Sequence, residues 1–79
     1  MKVRVDVMLK SGVLDPQGEA VRAALGNLGF EGVEKVRQGK LIELELAEDD
    51  PEVARARATE MADKLLANAV IESYRVTVL

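Results

Sequence analysis

Seventy-nine residues with a formal net charge of −3 set the bounds of one small domain, residues 1–79, which buries a modest share of its surface. The absence of cysteine and histidine excludes a disulfide framework and a thiolate or imidazole metal site. The acidic balance argues against nucleic acid, whose binding rests on Lys and Arg neutralising phosphates.

The N-terminal stretch "MKVRVDVML" is too short and too charged for a signal peptide, and no apolar run approaches membrane-spanning length. A cytoplasmic protein without a membrane partner is expected. Phe30 and Tyr74 are the only aromatic residues. Stability therefore has to come from aliphatic packing, from association, or from both.

In chain order, "KVRVDVML" alternates, with Val3, Val5, Val7 and Leu9 on one side and Lys2, Arg4, Asp6 and Met8 on the other. That period predicts a half-buried strand. From Pro16 to Leu28, Val21, Leu25 and Leu28 repeat at helical spacing with Ala24 beside them. Asp15 before Pro16 is a helix-start signature, a capping carboxylate followed by a residue suited to the first turn. Gly29 predicts a left-handed stop, with Phe30 folding back on Leu25 in a Schellman arrangement.

The stretch "VEKVRQGKLIELELA" predicts a hairpin turning at Gln38-Gly39. Ile42, Leu44 and Leu46 face inward, and Glu43 and Glu45 outward. Gln suits a two-residue primed turn poorly, so a three-residue turn with Gly39 left-handed is expected. Val33 and Val36 lie on opposite faces of the first of these strands. A second helix starts at Asp50-Pro51 and runs to about Ala67, with Ala54, Ala58, Met61 and Leu65 as its stripe and Ala62 and Leu66 widening it. Lys64 suits its C-terminal dipole, and Asn68 suits a left-handed cap. "ESYRVTVL" closes the chain as a strand with Tyr74, Val76 and Val78 on one face.

This βαββαβ order, with an Asp-Pro helix start in each half, predicts an α+β fold. The expectation is a ferredoxin-like sandwich, a four-stranded antiparallel sheet in the order 4-1-3-2 with two helices on one face. On the open face, Arg4, Asp6, Arg75, Glu43, Glu45, Lys35 and Arg37 would bring opposite signs together across most neighbouring strands.

Functional sites are harder to find. The loop "KSGVLDPQGEAV" could be taken for a phosphate cradle, but Asp15 and Glu19 would repel an anion there and no Lys or Arg lies between Lys10 and Arg22. Glu43 and Glu45 share a strand face without a pocket to separate their pKa values. No catalytic residue, cofactor site or metal site is assigned. Tyr74 points toward the core, and its hydroxyl needs a partner there or at an interface.

Four stretches together are similar to one family: "VLDPQGEAV" at 13–21, "LGF" at 28–30, "VRQGKLIEL" at 36–44 and "KLLANAVIESYRV" at 64–76. They resemble the PurS subunit of phosphoribosylformylglycinamidine synthase across essentially the whole chain. Ala69 departs from the family's usual Pro after the Asn, which leaves the loop into the last strand less rigid.

The resemblance implies a ferredoxin-like, non-catalytic subunit of a glutamine-dependent ligase in purine biosynthesis. It implies three partners: a second copy in a dimer or tetramer, a glutaminase subunit, and a large synthetase subunit that uses ATP and Mg. Bridging the two larger subunits and assisting ammonia transfer would be its role. The sheet edges, the Gln38-Gly39 hairpin flanked by Arg37 and Lys40, and the segment from Asn68 to Tyr74 are expected to supply contacts. A different class, a ferredoxin-like small-molecule sensor or regulatory dimer, would bind a ligand between protomers.

Overall fold

Val3, Val5 and Val7 are sealed from solvent at 0, 0 and 1% exposure, as alternation along a half-buried strand requires. They belong to β1 (Lys2–Leu9) of a computed structural model that describes residues 1–79. The other elements are α1 (Pro16–Asn27), β2 (Lys40–Glu45), α2 (Pro51–Met61) and β3 (Glu72–Val78), with a π-helical turn at Ala62–Leu66 extending α2. β1 is the centre of the sheet and pairs antiparallel with both neighbours, placing Lys40 and Tyr74 opposite Val7, and Leu44 and Val78 opposite Val3.

The sheet has three strands in the order β2-β1-β3, which corrects the expected four-stranded sandwich. The missing strand is the one expected around Val33–Arg37, and the reason lies at Gly39. Left-handed φ values occur at Gly12, Gly29 and Gly32, not at Gly39, so no hairpin turns there. The chain instead runs without reversal from the 33–38 segment into β2, and Gly39 sits so tightly on Met8 and the Val7 carbonyl that a Cβ would collide with both. Val33 and Val36 could not share one buried face, and neither becomes buried.

Both Asp-Pro starts form as capped helices: Asp15 accepts from Gly18 N–H at 2.8 Å and Asp50 from Glu52 N–H at 2.9 Å. Gly29, at φ 93°, ends α1. Phe30 N–H bonds the Leu25 carbonyl at 3.0 Å and Gly29 N–H the Gly26 carbonyl at 3.1 Å, the two bonds of a Schellman motif. The Phe30 ring itself stays exposed.

The two helices differ in how they meet the sheet. On α2, Ala54 and Ala58 are fully buried against Val3 and Leu46, and Ala62 joins Val5, Val7 and Ala67. Three alanines let the helix sit close to the strands, and Tyr74, Val76 and Val78 line the same side. Beyond Met61 the backbone widens to an i→i+5 bond, Ala67 N–H to the Ala62 carbonyl at 2.9 Å. The wider turn shifts the helical phase. Leu66 turns toward the core, and Leu65, expected on the buried stripe, is 83% exposed.

Asn68 is not left-handed, since no non-Gly residue has positive φ. It forms an Asx turn, its Oδ1 accepting from Val70 N–H at 3.1 Å. Helix α1, by contrast, does not lie on the sheet with α2. Its only buried residue is Gly18, and Leu14, Val21 and Leu28 stay open to solvent. Together with residues 30–39 it forms an arm, and the molecule measures 49 × 24 × 15 Å.

Candidate functional site: the junction of arm and sheet

Asp15 ties the start of α1 to the segment that leads into β2. Its Oδ1 caps α1, and its Oδ2 accepts from Gln38 N–H at 2.8 Å, twenty-three residues away in sequence. The bond to Gln38 N–H, followed by that to Gly18, holds the Asp15 carboxyl below its usual range against an opposing cost of burial, with a lesser attraction from Arg37. Gln38 Nε2 donates to Gln17 Oε1 at 3.3 Å. Gly18 lies against the Val36 carbonyl so closely that no Cβ would fit. The Gly18 N–H that a phosphate at this helix start would use is therefore already taken by the loop's own aspartate.

The residues expected at contacts fall at this end of the molecule. Arg37 donates to the Leu9 carbonyl, Gln38 and Gly39 follow, and Lys40 opens β2 opposite Val7. Across β1, Asn68 N–H donates to Glu72 Oε1 at 2.6 Å, and Lys10 Nζ to the Ala69 carbonyl at 2.8 Å. A groove lined by Leu9, Asp15, Gln38, Gly39, Lys40 and Glu72, among others, joins the two segments. Tyr74 shares the Val7 rung with Lys40, two strands apart, or roughly 10 Å. Its ring packs with Val5, Val7, Ala62 and Ala67.

The structure adds what spacing could not supply. No local signal links Asp15 to Gln38, because the two meet only when the arm folds back along α1. The open sheet face carries the expected charges: Lys2 Nζ lies 3.4 Å from Glu43, and Arg4 Nε 3.4 Å from Asp6. Residues 31–37 make no backbone–backbone hydrogen bond.

Open strand edges, an unpaired arm and uncovered apolar residues place the chain among small α+β modules whose surfaces suit association with other chains. The particular family follows from the sequence as a whole. The chain belongs to the PurS family of phosphoribosylformylglycinamidine (FGAM) synthase, whose family model matches residues 2–79.

Among its relatives, the phosphoribosylformylglycinamidine synthase subunit PurS of Mycobacterium leprae is 49% identical over 75 residues, covering 92% of this chain and 89% of that protein. The Bacillus subtilis subunit is 48% identical over 77 residues, 98% of this chain and 90% of its own length. The solved structure of B. subtilis PurS superposes with a TM-score of 0.85 at 47% identity, covering 96% of this chain and 94% of that one. A chain of the PurLQS structure from Thermotoga maritima does so with a TM-score of 0.88 at 36% identity, covering 99% and 95% respectively.

Proposed function

We propose that this chain is the small, non-catalytic subunit of the FGAM synthase complex in de novo purine biosynthesis. It bridges the glutaminase and the ATP-dependent synthetase subunits and assists the passage of ammonia between them. It works in the cytoplasm and holds no cofactor, ATP and Mg being used by the large subunit. Arg37, Gln38, Gly39, Lys40, Asn68 and Tyr74 are its proposed contact residues, and it associates with itself as a dimer or tetramer.

The observation that carries this reading is end-to-end likeness to a chain of the PurLQS structure, with a TM-score of 0.88 over 99% of this chain. Self-association draws support from the thin core, in which 9 of 79 residues are buried. A compact chain of this length has a radius of gyration of about 12 Å, whereas this one measures 15.9 Å.

Reconstitution tests the bridging role. With free ammonium, the large subunit should make product without this chain. With glutamine, synthesis should require this chain together with the glutaminase. Full glutamine-dependent turnover in its absence would overturn the proposal.

A further inference from the structure

The outer edge of β3 presents a regular row of free backbone groups. Lys10 N–H bonds the Ile71 carbonyl at 2.8 Å, and Leu79 N–H the Lys2 carbonyl at 2.9 Å. Both pairs keep the register that sets Val5 opposite Val76, so the ladder with β1 runs its whole length without a bulge. Hydrogen-bonded pairs alternate in such a ladder. Ser73, Arg75 and Thr77 therefore turn their backbone groups to β1, and Tyr74, Val76 and Val78 turn theirs outward. No strand pairs with this edge, and no loop or cap hydrogen bond reaches Tyr74, Val76 or Val78.

Edges that stay free are commonly guarded by short length, proline, lysine or a bulge. β3 is seven residues long and carries neither proline nor lysine. Tyr74, Val76, Thr77 and Val78 are instead residue types that favour strands.

The two faces beside the edge define what an added strand would carry. On the core side Tyr74, Val76 and Val78 remain only half-buried, although α2 packs over β3. Apolar side chains on a neighbouring strand would complete their burial. On the open side stand Ser73, Arg75 and Thr77, and Arg75 is exposed. Asp6, opposite Arg75 in the ladder, is engaged by Arg4 at 3.4 Å. Arg75 itself makes no ion pair.

A second β3 could not satisfy that row. Its open face holds no acid, and the centred two-fold register would set Arg75 against Arg75. Resting on the assembly proposed above, we infer that this edge receives an extended segment of one of the larger subunits as an additional strand. That segment places apolar residues on the α2 side and a carboxylate beside Arg75.

Amide-resolved hydrogen exchange reads the edge directly. In the chain alone, the Arg75 and Thr77 amides should exchange slowly, and those of Tyr74, Val76 and Val78 fast. The glutaminase and synthetase subunits are added singly and then together. The subunit that supplies the strand should slow the three fast amides at least about tenfold. Val76→Pro removes an outward N–H and leaves the β1 ladder intact, the setting in which an edge strand tolerates proline. It should raise about tenfold the chain concentration that half-saturates glutamine-dependent synthesis, with light scattering of the chain alone unchanged. Arg75→Glu alters an exposed, unpaired side chain and should raise the same concentration, so the test survives a folding defect in the proline variant.

Amides that stay fast in a complex active with glutamine overturn this edge and leave the bridging role standing, as do two variants that match the wild type. Slow amides in the chain alone assign the edge to a second copy and overturn the inference too. If neither subunit slows them and glutamine supports full turnover without this chain, both proposals fall.

Discussion

Asp15 accepts from Gly18 N–H through one carboxylate oxygen and from Gln38 N–H through the other, each at 2.8 Å. One side chain thus starts α1 and ties it to the arm. Asp50, its counterpart at the other Asp-Pro start, accepts from Glu52 N–H at 2.9 Å and caps α2 alone. Asp15→Ala should therefore lower the thermal midpoint more than Asp50→Ala, where the lost cap costs about 1 kcal/mol. Hydrogen exchange should rise at Gln38 in the first variant and stay unchanged there in the second. Equal losses would show that the Gln38 bond contributes nothing.

The same carboxylate makes stability depend on pH. Its folded pKa is depressed, by the Gln38 N–H first, so the unfolded chain binds the proton more readily. The contribution is complete above the unfolded pKa of about 4 and disappears as pH falls through the folded value. Glu19, depressed by Arg22, titrates in the same direction. Thermal midpoints of the wild type and Asp15→Asn should differ at pH 7, and the gap should begin to close below about pH 4 and vanish as pH falls through the folded value. A constant gap down to the acid limit would contradict the assignment.

Two glycines of α1 should respond to alanine in opposite directions. At Gly26 an added methyl would meet nothing within 4 Å, so Gly26→Ala should stabilise by about 0.5–1 kcal/mol. At Gly18 the methyl would strike the Val36 carbonyl and the Asp15 carboxylate. Gly18→Ala should lose stability despite alanine's better helix propensity. Urea denaturation of the pair decides it, and a stabilised Gly18→Ala would mean the arm does not lie on α1.

The π-helical turn sets a leucine pair apart. Leu66 packs against the Val5 and Val7 cluster, whereas Leu65 is 83% exposed. Leu66→Ala should cost about 1–2 kcal/mol, and Leu65→Ala should stay within about 0.5 kcal/mol. A regular α-helical continuation predicts a large cost at Leu65, as the sequence spacing did.

Packing on α2 is close enough to leave no room at Ala58, which has 0% exposure against Val3 and Leu46. Ala58→Leu should cost about 1–3 kcal/mol by overpacking. The neighbouring Ala56, exposed on the outer face, should accept leucine almost freely. Chemical denaturation of the two variants compares them directly.

Local rules made several features legible in the sequence. Alternation marked β1 and β3, Asp-Pro marked both helix starts, and Gly29 marked the end of α1, because each depends on residues within a turn or a pleat. The family was legible too, through stretches spread over the whole chain. The candidate contact residues, expected from the resemblance, fall together at one end of the molecule. Spacing could not show that Gln38 is held by Asp15, a bond between residues far apart in sequence.

Tertiary structure decided the rest. Whether Gln38-Gly39 reverses the chain depends on what Gly39 meets, and it meets Met8 and Val7, which hold the strand straight. With no reversal, the segment around Val33–Arg37 has no strand to join in its own chain. Helix α1 then follows that segment outward rather than covering the sheet. The sequence alone determined the first and last strands, β1 and β3, both helix starts and the end of α1. Only the packing of distant residues determined that the sheet stops at three strands and leaves an edge open for pairing.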